Sequence, residues 1–420
     1  MLAGLLGSLA LLALGQVHAA SGTLVINSNS TDPAPRVAWQ SAVERFAREN
    51  PDITVEYNVY DHESYKKAIR NWLTGAPPDV VFWFAGNRMR QFAVPGLLED
   101  LSDLYDAEAR SRMHPSALDL VSHGGRQYGV PYTYYQIGFY YRRDVLAASG
   151  IAEPPRTFAE LVAACDRLKS GGIEPFAIGT RDLWPAAAWF DYLDLRENGH
   201  AFHMALMQGS VPYTDPRVRA VFDRWRELID HDCFSRNHAS SSWQESQALL
   251  YQGKAAMMLI GNYIVANFPA DMRDRMEFAR FPALRPEIGR FEEAPMNTVH
   301  IPARAQNKAE AKRFMRFVMR PDVQEALNKA MLQLPVNTRS AVADDRFLLQ
   351  GRDLINGAAA LSQYFDRDTS EDLATVAMKG FQEFMLQPQR LPAILATIER
   401  ARERIYGPLP AGGGAPARAQ

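Results

Sequence analysis

An alternation of strand and helix patterns near the start of the chain is the feature that most constrains the fold. The apolar run 23–26, the alternating segment 53–57 and the run 79–83 are typical of strands. Between them, 37–49 and 65–73 carry apolar residues at three- and four-residue spacings, which indicates amphipathic helices. Strands separated by helices predict an α/β fold with a mostly parallel sheet.

The same alternation returns in a second unit that starts near residue 135. Strand patterns occur at 139–141, 176–180 and 254–260, and a helix pattern occurs at 157–169. Because ~150 residues per domain is usual, a chain of 420 residues has room for two to three domains. We therefore predict two α/β units. Further helix patterns cover 184–195, 216–229, 243–252 and 308–317.

Three loops are candidate binding segments because of their position after predicted strands. Open α/β sheets bind ligands beyond the carboxyl ends of their strands, where loops and helix N-termini meet. The segments 27–32, 60–61 and 83–88 each follow a predicted strand in this way. We expect the three segments to contribute to one site.

The charge balance excludes one class of partner. The chain has 46 basic and 48 acidic residues, which gives a net charge of -2, and its Lys and Arg are scattered. Nucleic-acid-binding proteins instead show a basic stripe or patch. Nucleic acid is therefore not expected as a partner.

The two ends of the chain differ in composition from the rest. Residues 1–20 carry no charge and combine an apolar run with a small-residue segment, which is typical of a secretory signal peptide. A membrane anchor is the weaker interpretation because Gln16 and His18 interrupt the run. We expect an exported, periplasmic protein. The Gly- and Pro-rich tail 407–420 is predicted to be disordered.

Cysteine and histidine usage predicts neither a metal site nor a disulfide framework. Cys165 lies in a helix pattern beside Leu161 and Val162, so we interpret it as a small core residue. An oxidising compartment would permit a bridge to Cys233, but we favour unpaired thiols. No cofactor and no metal are expected.

Four stretches resemble the extracellular solute-binding proteins of family 1, the maltose-binding-like sugar receptors of bacterial ABC importers. They are DVVFW at 79–83, WPAAAWFDY at 184–192, GKAAMMLIG at 253–261 and PDVQEA at 321–326. Their order and spacing match the family over nearly the whole mature chain. The resemblance implies a binding protein and not an enzyme, acting as a monomer with a carbohydrate ligand and with the permease subunits of the transporter as partners.

The resemblance also implies a two-lobed periplasmic-binding-protein fold of type II-like topology. The N-terminal lobe would comprise 21–131 and 296–334, and the C-terminal lobe would comprise 135–292 and 338–405. A ligand that contacts both lobes would favour the closed form by its differential affinity. The expected crossovers lie at 131–136, 293–298 and 334–337.

Carbohydrate receptors need flat aromatic walls and polar groups in fixed geometry at the rim. Trp83 is the first choice for stacking, although it could instead cap the sheet as a core residue. Trp184 could form the wall of the second lobe, and Tyr263 stands where the family usually has Gly-x-Trp. Trp243 is equally compatible with the core and with the site.

Polar candidates accompany these rings. Asn87 and Arg88 follow Trp83, Arg181 precedes Trp184, and Asn262 precedes Tyr263. Asp366 and Arg367 lie where the family brings late residues into the cleft, and a surface ion pair is the equal alternative for them. Loop or crossover position alone adds Asn29, Asp61, Tyr135, Asn297 and Asn337.

Two other functions fit parts of the pattern. The pairs 134–135 and 140–141 are adjacent tyrosines, which could bind ferric ion through phenolates in the same fold. A secreted carbohydrate-active enzyme would need two facing carboxylates, for which 99–100 and 292–293 are candidates. Capping or solvation is the better interpretation of these carboxylates.

Overall fold

The structure is a computed structural model that describes residues 22–113 and 115–409. The predicted signal peptide and residues 410–420 of the predicted tail lie outside the described residues. Over the described ranges, no helix combines the length and apolar character that a membrane crossing requires.

Thirteen strands are formed in the described residues. They are β1 (Gly22–Ser28), β2 (Ile53–Val59), β3 (Val80–Phe84), β4 (Ser122–His123), β5 (Arg126–Gln127), β6 (Val130–Tyr134), β7 (Ile137–Arg142), β8 (Glu174–Phe176), β9 (Ala255–Gly261), β10 (Met276–Ala279), β11 (Phe291–Glu293), β12 (Met296–His300) and β13 (Ala360–Ser362).

Helices connect and cover the strands. They are α1 (Pro33–Glu49), α2 (His62–Thr74), α3 (Asn87–Ala93), α4 (Ala107–Ser111), α5 (Pro115–Leu120), α6 (Arg143–Ala148), α7 (Phe158–Ser170), α8 (Trp184–Glu197), α9 (His200–Met207), α10 (Pro216–Asp230), α11 (Trp243–Tyr251), α12 (Lys308–Val318), α13 (Pro321–Met331), α14 (Arg346–Asn356), α15 (Phe365–Asp368), α16 (Glu371–Leu386) and α17 (Leu391–Tyr406). Short 3₁₀ turns lie at Ser102–Leu104, His238–Ser240, Asn262–Asn267, Arg273–Arg275 and Pro388–Arg390.

The first sheet has the strand order β2-β1-β3-β12-β6. Strand β1 pairs in parallel with β2 and β3, whereas β12 pairs antiparallel with β3 and β6. All five residues of β3 are buried because helices cover both faces of the sheet. Trp39 and Phe46 of α1 pack against Phe314 of α12 in this core.

The second sheet has the order β10-β7-β9-β8 and its own core. Strand β7 pairs antiparallel with β9 and β10, and β8 pairs in parallel with β9. Every residue of α8 from Pro185 to Glu197 is buried, so this helix packs on all sides. Trp189 of α8 contacts Phe176 of β8 edge to face.

The sequence predicted mostly parallel sheets, and both sheets are mixed. The reason is that β12 returns from the second lobe and β7 enters it, so each runs against its neighbours. Strand β12 also lies in a stretch where the sequence predicted a return between domains. Strand β8 ends at Phe176 instead of reaching Thr180, whose backbone N–H donates to the His238 carbonyl.

The chain passes between the two sheets at residues 135–136, which join β6 to β7, and again between α13 and α14. Residues 294–295 join β11 to β12 of the first sheet. The first passage is held by Gln136, whose Nε2 donates to Asn262 Oδ1 over 2.9 Å and to the Phe347 carbonyl over 2.9 Å. The fold is therefore the two-lobed α/β fold of periplasmic binding proteins, and the lobe boundaries given above remain predictions.

Cys165 and Cys233 form a disulfide, so the expectation of unpaired thiols was wrong. Their Cα atoms are 5.2 Å apart, and both residues are fully buried. Cys165 lies on α7, and Cys233 follows α10, which packs against α7. Helix packing brings together two positions that are 68 residues apart, which spacing in the sequence does not reveal.

Candidate functional site

A cavity of about 200 Å³ lies between the two lobes, where β1, β2 and β3 end. Loops from the first sheet form one side, and α8, α11 and the segment around α15 form the other. Nine of the residues predicted from the sequence line this cavity, and they come from both lobes. They are Asn29, Asp61, Trp83, Tyr135, Trp184, Tyr263, Asn297, Asp366 and Arg367.

Aromatic rings form the wall of the cavity on the side of the second lobe. The ring of Trp184 lies 6.1 Å from that of Trp243 and 5.5 Å from that of Tyr364. Tyr263 contacts Trp243 at 5.2 Å, and its hydroxyl lies 3.3 Å from that of Tyr364. These rings pack against one another and offer an apolar surface with few rotatable bonds.

The turn before α8 aims Trp184 at the cavity. Leu183 has φ 66° and ψ -44°, and the Trp184 N–H donates to the Asp182 carbonyl over 2.8 Å, which is the geometry of a γ-turn. This conformation is strained for a residue other than glycine, and such strain concentrates at binding sites. Pro185 then fixes the first turn of the helix.

Arg367 is the central cation of the site. Its Nη2 donates to the Tyr135 hydroxyl over 2.9 Å and its Nη1 to Asn297 Oδ1 over 3.3 Å. Tyr135 belongs to the first crossover and Asn297 to β12. The guanidinium therefore ties α15 to the β6–β7 crossover and to a strand of the first sheet.

Asp366, beside it, presents a carboxylate to the cavity. Burial alone would raise the pKa of Asp366, but Lys66, Arg88 and Arg367 outweigh burial and hold the pKa below its usual range. The carboxylate is therefore ionised at neutral pH. The Asp366 carboxylate accepts no hydrogen bond from any of the described residues, so its oxygens can accept hydrogen bonds from a ligand.

The first lobe contributes polar groups that follow β1 and β2. Asp61 accepts a hydrogen bond from the Ser64 backbone N–H over 2.9 Å and so caps α2, and this bond lowers the pKa of Asp61. Burial lowers the pKa of His62 to about 3, so its ring is neutral, and its Nδ1 lies 3.3 Å from Asn29 Nδ2. A neutral imidazole can both donate and accept.

Trp83 borders the cavity but offers little surface to a ligand. The residue is 3% exposed, and its indole N–H donates to the Arg88 carbonyl over 2.9 Å. Its ring lies 4.9 Å from Phe84 and 5.5 Å from Phe92, and the Arg88 guanidinium lies over it. Stacking of a ligand on Trp83 stays a prediction, and the wall around Trp184 is the better-placed surface.

Five predicted residues, Asn337 among them, are not part of the cavity lining. Arg88 is buried and faces Glu371 at 3.7 Å. Arg181 is exposed and pairs with Glu245 at 3.0 Å. Asn262 is fully buried in the hinge, where it accepts from Gln136 and Tyr140, and Asn87 lies on α3 outside the lining. These four residues were predicted because they are close in sequence to an aromatic candidate, but their side chains do not reach the cavity.

Asn337, one of the candidates placed by loop or crossover position alone, is buried, and its Nδ2 donates to the Met319 carbonyl over 2.9 Å. Several other residues that line the cavity were not predicted from the sequence. His62 and Lys66 lie one turn apart at the start of α2, directly after a predicted strand, and that position was the signal that could have identified them. Further lining residues that were not singled out include Phe84, Gln333 and Tyr364, and Trp243 had been weighed equally with a core position.

Of the residue pairs behind the two alternative functions, only Tyr135 lines the cavity. Tyr140 is fully buried and donates to Asn262 Oδ1 over 2.8 Å, so the adjacent tyrosines do not form a set of phenolate ligands. Glu99 pairs with Lys308 at 2.7 Å, and Glu292 pairs with Arg196 at 2.9 Å. These carboxylates therefore have structural partners away from the cavity.

Known proteins share both the sequence pattern and the fold. The profile of the family described as bacterial extracellular solute-binding protein matches residues 30–325. An uncharacterized ABC transporter extracellular-binding protein of Pyrococcus horikoshii is 23% identical over 305 residues, which are 71% of this chain and 68% of the relative.

Solved structures cover more of the chain. The bacterial solute receptor AcbH, for which an exclusive preference for β-D-galactopyranose is reported, has 30% identity and a TM-score of 0.85 over 91% of this chain and 98% of its own. A chitin oligosaccharide binding protein has 20% identity and a TM-score of 0.82 over 91% of this chain and 98% of its own, which is a likeness of fold.

Proposed function

Since the chain belongs to the bacterial extracellular solute-binding protein family, we propose that it is the carbohydrate receptor of an ABC importer. The receptor binds one sugar between its lobes and delivers it to the permease. Binding, without chemical change of the sugar, is its role. We also propose that it acts in the periplasm, as a monomer, after removal of residues 1–20.

The juxtaposition of an aromatic wall with an ionised carboxylate and a guanidinium carries this proposal. Trp184 and Trp243 would contact the C–H face of a sugar ring. Asp366 would accept hydrogen bonds from neighbouring hydroxyls, and Arg367 would donate to sugar oxygens. These groups lie on one side of the cavity, and α2 and the loop after β1 lie on the other. A sugar that contacts both sides would therefore hold the lobes together.

The size of the cavity favours a short carbohydrate. Its volume of about 200 Å³ is below the roughly 300–1,000 Å³ of pockets that hold drug-sized molecules. The sequence favoured a small oligosaccharide. The cavity and the reported preference of AcbH for β-D-galactopyranose support a mono- or disaccharide.

The test is a binding screen with the mature chain. Thermal unfolding is followed with D-galactose, lactose, maltose, raffinose and N,N′-diacetylchitobiose, and the affinity of each sugar that raises the Tm is measured by calorimetry. We expect one or two related sugars to raise the Tm, because a ligand that binds only the folded state stabilises it. The absence of any shift with every sugar would overturn the proposal.

Matched tryptophan variants locate the binding surface. Trp184→Ala is expected to weaken binding of the active sugar by tenfold or more, which corresponds to about 1.4 kcal/mol. Trp72→Ala is the control, because Trp72 is partly buried on α2 and lies outside the cavity lining. Equal affinity of the Trp184→Ala variant and the original protein would exclude the aromatic wall as the binding surface.

A further inference from the structure

A cluster of buried carboxyl groups lies behind the segment that carries Asp366 and Arg367. Four of these residues are fully buried, namely Asp191, Asp194, Glu292 and Glu293, and Asp368 is 6% exposed. None of the five lines the cavity. The buried cations close to them are Arg196, 5% exposed, and His203, 0% exposed.

Two of the carboxylates have a cationic partner. Arg196 Nη2 donates to both oxygens of Glu292 over 2.9 Å. His203 Nδ1 lies 2.9 Å from Asp194 Oδ2. Asp368 has a neutral donor, since its Oδ2 accepts from the Gln363 backbone N–H over 2.7 Å. Asp191 has only His203, at 4.0 Å, and the Glu293 side chain has no ion pair with any of the described residues.

Asp191 and Glu293 lack donors for three of their four oxygens. Asp191 Oδ2 accepts from the Phe365 backbone N–H over 2.8 Å. Asp191 Oδ1 and both Glu293 oxygens have no hydrogen-bond donor among the described residues. His203 Nε2 is 4.0 Å from Asp191 Oδ1, which is too long for a hydrogen bond.

Helix α8, which carries Asp191, nevertheless packs against β11, which ends at Glu293, and a hydrogen bond between the two side chains contributes to the pKa shift of each. Ionised carboxylates only accept hydrogen bonds, so two of them cannot bond without a proton between them. Two adjacent negative charges away from water are also strongly unfavourable. A single proton shared by the two carboxyl groups supplies the missing hydrogen-bond donor and removes one of the two negative charges.

We propose that Asp191 and Glu293 share one proton at neutral pH, and that this pair positions the segment 362–368 so that binding of the sugar is linked to retention of the proton. The ligand part of this inference rests on the proposed function. Asp191 and Glu293 are positioning residues, because they act on the site through Asp366 and Arg367 and do not line the cavity themselves.

Both members of the pair are attached to the same segment. Asp191 accepts from the Phe365 N–H at the start of α15. Glu293 ends β11, which pairs in parallel with β13 and places Glu293 opposite Ser362. Loss of the shared proton would drive the two carboxylates apart. Since each is tied to one end of the short stretch 362–365, their repulsion would displace the residues next to Asp366.

The electrostatic surroundings agree with a retained proton. Burial raises the pKa of Asp191 to about 7, against the opposing effect of His203. Burial raises the pKa of Glu293 well above its usual range, and the charges of Asp191 and Asp368 raise it further. Both shifts favour a proton held by the pair at a pH above the usual range of carboxyl groups, and that proton is lost as the pH rises further.

Other groups around the pair titrate or carry charge. Burial raises the pKa of Asp368, whereas Asp194 holds the pKa of His203 above its usual value despite burial. Deprotonation of either one adds negative charge next to the pair, so both act in the same direction as loss of the shared proton. The remaining charged or titratable groups near the pair include Asp194, Glu292, Arg196, Tyr135, Tyr192, Tyr213 and Tyr364.

Affinity as a function of pH tests the link to ligand binding. Calorimetry with D-galactose and with lactose is carried out from about pH 6 to pH 9 on the mature chain. We expect the affinity to fall by about tenfold or more over this range, since linkage of one proton changes affinity by at most tenfold per pH unit. Glu293→Gln is expected to flatten the profile, because an amide donates the hydrogen bond and does not titrate.

Two further variants make the comparison decisive. Glu153→Gln is the matched control, because Glu153 is exposed on the surface and its variant should keep the pH profile of the original protein. If Glu293→Gln fails to fold, Asp191→Asn replaces it, since its amide oxygen still accepts from Phe365 and its amide nitrogen donates to Glu293. A profile that is flat for the original protein, or equally steep for the variants, would overturn the proposal.

A measurement without ligand separates this inference from the proposed function. Infrared spectroscopy of the ligand-free protein at neutral pH should show the carbonyl band of a protonated carboxyl group, and the band should be absent from Glu293→Gln. If the band is present while no sugar binds, the shared proton stands and the proposed function fails. If sugars bind and no such band is lost in the variant, the shared proton is refuted.

Discussion

The guanidinium carbon of Arg367 lies 4.0 Å from the centroid of the Phe84 ring. Phe84 ends β3 of the first sheet, whereas Arg367 belongs to α15, which packs against α8 of the second lobe. This stacked contact joins the lobes at the cavity, and the same guanidinium also bonds to Tyr135 and Asn297. One side chain therefore connects the wall of the site to the hinge.

Replacing Arg367 by Lys should weaken sugar binding by tenfold or more, which is about 1.4 kcal/mol. An ammonium group cannot reproduce the planar fork that reaches Tyr135 and Asn297 while it stacks on Phe84. Calorimetry with the sugar identified in the screen measures the change. Arg352→Lys, an exposed arginine paired with Asp353, is the control and should bind as the original protein does. Equal affinity of the two variants would contradict the role of Arg367.

The disulfide should account for a large share of the stability of the second lobe. A crosslink between residues separated by 68 positions removes roughly 4 kcal/mol of chain entropy from the unfolded state in the loop-closure description. The double variant Cys165→Ala with Cys233→Ala should therefore unfold at lower denaturant concentration, with sugar affinity preserved at 25 °C.

Addition of a reducing agent supplies the control for the disulfide. It should lower the denaturation midpoint of the original protein and leave that of the double variant unchanged. An original protein that is insensitive to reduction under denaturing conditions would show that the two thiols are not bonded.

Acid should destabilise the first lobe through His300. This histidine is fully buried between Thr298 and the Tyr128 carbonyl, and burial lowers its pKa to about 4. Since the unfolded state binds a proton near pH 6.5 and the folded state does not, the free energy of unfolding falls as the pH decreases from 6.5 towards 4. The slope is about 1.4 kcal/mol per pH unit for one proton.

Urea unfolding at several pH values measures this slope. The His300→Gln variant should have a smaller slope, because the contribution of about one proton is lost. The His231→Gln variant should have a steeper slope. Asp166 raises the pKa of the exposed His231, so that residue opposes acid denaturation in the folded protein. Identical slopes for the original protein and His300→Gln would show that His300 is not held neutral.

The sequence predicted the elements whose patterns are local. Strands β1 and β2, with the helices between and after them, follow from apolar spacing alone, and the loops after those strands do reach the cavity. The direction of β12 was not predictable, because its antiparallel place beside β3 depends on where the chain returns from the second lobe.

The sequence predicted cavity-lining residues where position in the fold decides, and it failed to do so where the direction of a side chain decides. Trp184 and Arg367 were found from their segments. Trp83 is the penultimate residue of β3, yet its indole turns inward and donates to the Arg88 carbonyl, and the Asn262 side chain turns into the hinge. The alternation of apolar and polar residues along a strand does not predict the hydrogen-bond partner of a side chain near its end. Asp191 and Glu293 are about a hundred positions apart in the sequence, so no local sequence pattern predicts this pair of carboxyl groups.

Gly261 should be required for the aromatic wall. A Cβ atom at this position would lie 2.3 Å from Tyr263 Cε1 and 3.0 Å from Tyr135 Cδ2. Both rings line the cavity, so Gly261→Ala must displace at least one of them, and the affinity for the sugar should fall by about tenfold. Gly171→Ala is the control, because its nearest contact would be an ordinary 3.4 Å to the Leu168 carbonyl. Calorimetry and thermal unfolding of both variants separate loss of binding from loss of stability. Unchanged affinity of the Gly261→Ala variant would mean that neither tyrosine ring contacts the sugar.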